Sequence, residues 1–311
     1  MSDNTKKPSK EEFFGRALYD VEHALGMCAL SFSAIPAECI YDKEALEPFM
    51  SVIKSCHIYL IGYTPIIDFV GAEQVDSNLN LILNMTGSEH VVSYDLPTGV
   101  SLKKDGELYY LEDDSGQRSW PNDDDILLRL SNQSNEVNFD VKYIGQAYGK
   151  DGSRNAIDRL LKHETLQKIS LKGVPDGYRL TLLLLAIQPS NQLFTIMNPF
   201  AKNSEEGSER ITSGLDKLFN TTEQERIALY EASLIRYFYP EFNKEFKDSF
   251  PSTNLKILQD CYEKDFAAVV AEICFEELPF KLFSESAEIS NYHIAKHNLH
   301  KSEDRRMFFG M

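Results

Sequence analysis

Basic side chains are scarce in this chain. It has 32 Lys and Arg against 48 Asp and Glu, a net charge of −16. Taken alone, that argues against a non-specific nucleic-acid binder, because a phosphate backbone attracts basic surface. Long apolar runs are absent too. With no stretch of about 18 apolar residues, no membrane-spanning helix is expected. The start, MSDNTKKPSKEEFFGR, lacks the apolar middle of an export signal, and residues 1–10 read as a disordered tail. The five cysteines, Cys28, Cys39, Cys56, Cys261 and Cys274, are odd in number and show no C-x-x-C spacing. They read as reduced, mostly buried thiols of a cytoplasmic protein rather than a disulfide framework or zinc cluster. No P-loop, Rossmann glycine pattern or G-x-S-x-G elbow occurs, and Gly145 with Gly149 and Gly152 matches none of them.

What is present suffices for a real core: 42% hydrophobic residues, with 19 Phe and 15 Tyr. The charge is uneven. Residues 1–139 carry 10 basic and 23 acidic side chains, residues 140–180 carry 8 and 5, and residues 181–311 carry 14 and 20. The one locally basic window is therefore 140–180, which suits a phosphate-facing surface.

Spacing predicts a helix over 11–26, where Phe14, Leu18, Val21 and Leu25 share a stripe, and another over 44–56. Ile58 to Ile61 reads as a buried strand. Strands are also expected at 79–84, 90–96 and 107–112, the last entered through the Asp105-Gly106 turn. The acidic stretch 113–125 is the candidate domain boundary. Beyond it, strands are expected at 126–130 (ILLRL), 137–147, 179–187 and 267–274. A helix capped by Asp151 or Ser153 should run to about residue 163, followed by a short one over ETLQKI. Residues 188–221 read as a polar insertion, with one helical turn near Leu215. Thr222 and Glu225 form a capping box that opens a helix ending before Pro240.

Two positions carry chemistry. At about 100° per residue, Glu231 falls inside the apolar stripe of Ile227, Tyr230, Leu234 and Phe238. A carboxylate there needs a cation, a metal or strong donors. On the helix expected to reach residue 163, Arg159 and His163 sit together at the edge of the apolar stripe of Ile157 and Leu160. The histidines His293, His297 and His300, spaced four and three apart, would share a helical face and could hold a metal, or could lie in a solvated C-terminal segment.

Tyr143-Ile-Gly145 closing a strand, Arg159 and His163 on the next helix, Glu231 on a later helix, then Pro240 and Asn243: this order over residues 126 to about 245 resembles the GIY-YIG nucleases. The resemblance implies a small antiparallel three-stranded sheet flanked by helices that cuts phosphodiester bonds. It implies that Glu231 holds one Mg²⁺ (or Mn²⁺), since a lone carboxylate with waters suits that cation. Arg159 would grip the scissile phosphate. His163 would orient a substrate group or assist proton transfer. Tyr143 would stand by the attacking water, and Asn243 would fix the geometry. Gly145, Tyr148 and Arg154 would lie along the substrate. The family's first motif, Gly-Ile-Tyr, belongs on the strand before Tyr143, taken here as Ile126–Leu130, which contains no Tyr. Either Tyr143 or Tyr148 replaces it, or the domain kept the fold and lost the reaction.

The expected architecture is therefore α/β of the α+β type. A mixed α/β domain over 11–120 precedes a GIY-YIG-like domain over 121–250, with its insertion at 188–221, and a C-terminal strand and helical extension over 251–311. The expected function is a metal-dependent endonuclease acting on DNA, with a protein partner or self-association through the acidic N-terminal part. The alternative is a non-catalytic interaction protein on a degenerate nuclease fold.

Overall fold

The computed structural model describes residues 17–149, 156–252 and 255–301, together with Gly15 and Arg305. The protein is mixed α+β, built on one eight-stranded sheet with two smaller antiparallel sheets.

β1 (Val21–Pro36) is followed by short helical turns over 37–53, which Pro48 keeps from merging into one helix. β2 (Ile58–Pro65) is buried along its whole length. The chain then leaves the large sheet. β3 (Ile67–Val75), β4 (Asn78–Met85) and β5 (Ser88–Asp95) form one three-stranded sheet. β6 (Ser101–Asp105), β7 (Leu108–Glu112) and β8 (Arg118–Ser119) form another, with the expected turn at Gly106. After this excursion come α1 (Asp123–Gln133), β9 (Asn138–Gln146), α2 (Ala156–Leu160), α3 (Glu164–Lys172) and β10 (Tyr178–Ile187). β11 (Gln192–Met197), α4 (Gly207–Asn220), α5 (Glu223–Phe238) and α6 (Lys256–Glu263) follow, then β12 (Ala268–Cys274), β13 (Lys281–Phe283) and β14 (Tyr292–Asn298).

The large sheet runs β13-β9-β2-β10-β1-β12-β14, with β11 beside the first half of β1. Its strands pair antiparallel except β1 with β12 and β13 with β9. Alternation divides the buried side chains between two faces. Leu60, Leu183 and Leu185 pack with Ile227, Tyr230 and Leu234 of α5. Tyr59, Ile61, Leu182 and Leu184 pack with Ile157 and Leu160 of α2 and Leu166 and Ile169 of α3.

Four expectations need correction. The helix over 11–26 is not there: from Val21 onward the chain is β1, while residues 11–14 and Arg16 lie outside the described residues. Val21 to Met27 are buried because β11 and β12 flank this stretch on both sides, and a central strand hides both of its faces. Ile126–Leu130 is helical, inside α1. Asn122 caps that helix, accepting from the Asp124 N–H at 2.8 Å, and three aspartates fill its first turn, where the helix dipole favours them. The 188–221 stretch holds a strand and a fourteen-residue helix. The boundary at 113–125 does not divide the large sheet, because β1 and β2 come from before it and β9 and β10 from after it. Among the described residues no helix is long and apolar enough to cross a membrane.

A buried ionic cluster ties the sheet end together. Glu22, fully buried on β1, accepts from Arg305 Nε at 2.7 Å and from Arg210 Nη2 of α4 at 3.0 Å. Asp265 bridges the same two guanidiniums at 2.7 and 2.9 Å, and Tyr19 stacks on both. The two arginines hold the Asp265 carboxyl well below the usual range, together with His300 and against burial. Removing Arg210 leaves two carboxylates to share the one guanidinium of Arg305, so Arg210→Met should destabilise the fold, by at most about 3–5 kcal/mol. A urea unfolding midpoint unchanged in the variant would show that the cluster carries no such weight.

Candidate functional site

The site forms where β2, β9, the start of α3 and the middle of α5 meet. β2 and β9 pair antiparallel with Tyr59 opposite Gly145 and Ile61 opposite Tyr143. Opposed residues share a face, so Tyr59 and Tyr143 lie on the same side of the sheet, with ring centroids 6.2 Å apart. Gly145 is the space Tyr59 needs: a Cβ there would sit 2.5 Å from the Tyr59 hydroxyl oxygen and 2.9 Å from Tyr143 Cε1.

Arg159 stands on α2, which ends at Leu160. The expected single helix does not reach residue 163. His163 instead caps α3, its Nδ1 accepting from the Leu166 N–H at 3.3 Å. An accepting Nδ1 leaves the proton of a neutral imidazole on Nε2. That Nε2–H donates to the Tyr59 hydroxyl at 3.1 Å. Burial, helped by the Arg159 charge, pushes the His163 pKa down to about 4, so the ring is neutral at pH 7. The Arg159 charge also favours the Tyr59 phenolate, against burial and the neighbouring Tyr143, whose ring centroid lies 6.2 Å away. The Tyr59 oxygen thus accepts from the His163 ring and lies within the field of the Arg159 charge. Both phenols are raised above their ordinary pKa, chiefly by burial.

Glu231 is buried on α5, as its place in the apolar stripe requires. The capping box that starts α5 is formed by Thr222 and Glu225. Burial pushes the Glu231 carboxyl up to about 8, against the hydrogen bonds that Gln146 gives it from side chain and backbone; the negative charge of Glu245 pushes the same way as burial. Its only cationic neighbour in that balance, Arg159, acts at a distance and least of all.

Asn243 follows α5 and clamps β9. Its Oδ1 accepts from the Ile144 N–H at 2.9 Å and its Nδ2 donates to the Ile144 carbonyl at 2.8 Å. With the Phe242 N–H donating to the Lys142 carbonyl at 3.0 Å, this segment covers the edge of β9 beyond the short β13.

Tyr59, Tyr143, Arg159, Glu231 and Asn243 line one groove of about 820 Å³, with Gln146, Lys168 and Lys244 also on its wall. His163 sits behind Tyr59 and acts through it. Tyr148 does not line this groove: its hydroxyl donates to Glu223 at 3.0 Å and its ring stands edge-on to His57. Arg154 lies outside the described residues, as do Asp151 and Ser153. His293 and His297 are on strand β14, not a helix. With His300 just beyond it, each gives a ring nitrogen to a backbone carbonyl, so they are neither a cluster nor a solvated tail. Among the described residues no group of three or more His, Cys, Asp or Glu is arranged to hold a metal.

Sequence reading missed Tyr59 and Gln146. The signal for Tyr59 was a tyrosine inside an otherwise aliphatic buried run, Ile58 to Ile61. Only strand pairing, across an excursion of some seventy residues, tells that it meets Tyr143. Comparison with known proteins finds no matching family model, no matching curated protein and no matching solved structure.

Proposed function

We propose that this protein is a metal-dependent nuclease of the GIY-YIG type, cutting phosphodiester bonds in DNA. One observation carries the reading. Ile58-Tyr59 runs antiparallel to Tyr143-Ile144-Gly145, with Tyr59 opposite Gly145, and the same groove collects Arg159, Glu231 and Asn243. The tyrosine sought in vain at 126–130 is therefore supplied by β2. His57 stands where the motif's leading glycine would be, and the β3–β8 excursion lies between the two motif strands. The sheet order β9-β2-β10 makes this a three-stranded antiparallel unit within the larger sheet.

The groove's chemistry suits phosphate. Arg159 is exposed on α2 and lines the groove, so its planar fork is open to two phosphate oxygens. For Tyr59 or Tyr143 to serve as base, its phenolic proton must first leave to solvent; the phenolate then takes one proton from the attacking water and returns to the phenol. A phenol is a weak base at its ordinary pKa of about 10. Burial disfavours that phenolate at Tyr59, and the Arg159 charge and the His163 Nε2–H oppose the burial. Asn243 acts by fixing the β9 backbone that carries Tyr143.

Glu231 fits a cation ligand. It is a buried carboxylate whose raised pKa records the lack of a positive partner, and it lines the groove beside Arg159. A Mg²⁺ or Mn²⁺ held there would supply Lewis-acid polarisation of the phosphate. The acidic overall charge favours a second reading, a binding module without catalysis.

Supercoiled plasmid and single-stranded DNA, incubated with Mg²⁺ or Mn²⁺, separate the two. Cleavage by the wild type should fall on the order of a thousandfold in Glu231→Ala, equal to about 4 kcal/mol of transition-state stabilisation. Folded wild-type protein that cuts nothing on either substrate would leave the binding module.

A further inference from the structure

Among the described residues β11 is an edge strand. It pairs with β1 along one side, from Gln192 opposite Gly26 to Met197 opposite Val21. Among the described residues no strand pairs with its other side. Edge strands are ordinarily blunted by Lys, Pro, a bulge or an inward charge. Gln192–Met197 has none of these. It sits inside residues 180–201, where no side chain is charged, in a chain that is 26% charged overall.

Exposed apolar side chains occur on the strand and on the helix beside it. Phe194 and Phe200 are exposed, and Met197 is 69% exposed. α4 packs beside β11, and its residues Leu215 and Phe219, one turn apart on one face, are also exposed, Phe219 at 78%. The occupant of such an edge must tolerate a molecule of net charge −16. Contact through the β3–β8 excursion would bring like charges together, since residues 66–119 carry 10 acidic and 3 basic side chains. An uncharged strand avoids that repulsion.

The strand is also complementary to itself. In an antiparallel pair about a two-fold axis normal to the sheet, opposed residues must lie on the same face. Centred on Thr195, that symmetry sets Phe194 against Ile196 and Leu193 against Met197, with Thr195 against its own copy. Every apolar side chain of the strand then meets another: Phe194 against Ile196 is an aromatic–β-branched pair and Leu193 against Met197 an aliphatic one, with threonine facing threonine between them.

We propose that β11 pairs antiparallel with β11 of a second copy, about a two-fold axis at Thr195, to make a homodimer with a continuous sheet. The interface is isologous, so it closes at two copies instead of growing into fibres.

The test uses the full chain. Sedimentation across a dilution series should show the mass rising from 35.5 kDa toward twice that value with concentration, and Met197→Lys should stay at one chain throughout. Thr195→Cys, mildly oxidised, should give a disulfide-linked dimer on a non-reducing gel well above the wild-type background, while Thr212→Cys on exposed α4 should not. Thr195 also bonds His23 Nδ1 at 2.9 Å, so the folding of that variant is confirmed by circular dichroism; the Met197→Lys arm does not depend on it. A wild type that remains one chain at every concentration overturns the proposal. So does a dimer indifferent to Met197→Lys, or cross-linking at Thr195→Cys no greater than at Thr212→Cys.

Discussion

Tyr59→Phe should abolish most cleavage while leaving the fold intact. The substitution removes one oxygen from a fully buried ring and keeps the ring itself, so the packing of β2 against α2 and α3 persists. What is lost is the acceptor for His163 Nε2–H and the phenolic oxygen that the Arg159 charge favours as an anion. General-base assistance is worth about 10²–10⁴ in rate, and the rate should fall within that range. Leaving the buried His163 N–H without a partner should cost about 1–3 kcal/mol, so a folded protein with little activity is the expected pair of results. The comparison variant is Tyr148→Phe. Its hydroxyl bonds Glu223, away from the groove, and its cleavage rate should stay near that of the wild type. Rates for Tyr59→Phe within a fewfold of wild type would remove Tyr59 from the reaction.

Glu231→Gln is expected to make the metal-free protein more stable, and increasingly so with rising pH. The folded carboxyl titrates at about 8, against an ordinary value of 4.5. Folding therefore takes up a proton in the window between those values. Below 4.5 the group is protonated in both states and imposes no penalty. Through the window the unfolded chain ionises while the folded one resists, so wild-type stability falls as pH rises. Above 8 the full penalty is present. Glutamine removes the titration and keeps the shape. The difference between variant and wild type should grow by about 1.4 kcal/mol per pH unit across the window and then level off. Urea midpoints at pH 5 and pH 8.5 read this directly. Glu22, also raised, is common to both proteins and cancels. Saturating Mg²⁺ at pH 8.5 should raise the wild-type midpoint and not that of the variant, because a ligand stabilises the state that binds it. Parallel midpoints for the two proteins at both pH values would mean that Glu231 ionises freely and is no stored cation site.

The two expectations draw on one conflict. A carboxylate buried without a cation and two phenols raised by burial are unfavourable in the resting protein. Such local violations are characteristic of functional sites, where strain is retained because the chemistry uses it. The rest of the fold supplies the compensation, through the buried faces of β2 and β10 and the Glu22 cluster.

Much of this was legible from residue order alone. Ile58–Ile61, 179–187 and 267–274 are strands because continuous β-branched and aliphatic runs of that length fit little else. The Thr222 and Glu225 capping box starts α5 where it was expected, since both halves of the motif are local. The burial of Glu231 follows from helical periodicity and was found at the predicted place. These features depend on contacts within a few residues, and the sequence states those contacts directly.

Tertiary structure decided the rest. Val21 to Leu25 has helical spacing and became a strand because two neighbouring strands outbid a weak local preference. Ile126–Leu130 looks like a strand and became a helix, once Asn122 and three aspartates set its N-terminus. Arg159 and His163 looked like one helical face, yet they occupy the end of one helix and the cap of the next, and meet through Tyr59. Tyr59 itself faces Tyr143 only because β2 and β9 close a long loop between them. Strand pairing of that kind is set by the whole sheet, where register, burial and chain reversal are settled together. Local sequence marks the continuous apolar strands and the carboxylate that will be buried; only the assembled sheet chooses which tyrosine stands beside it.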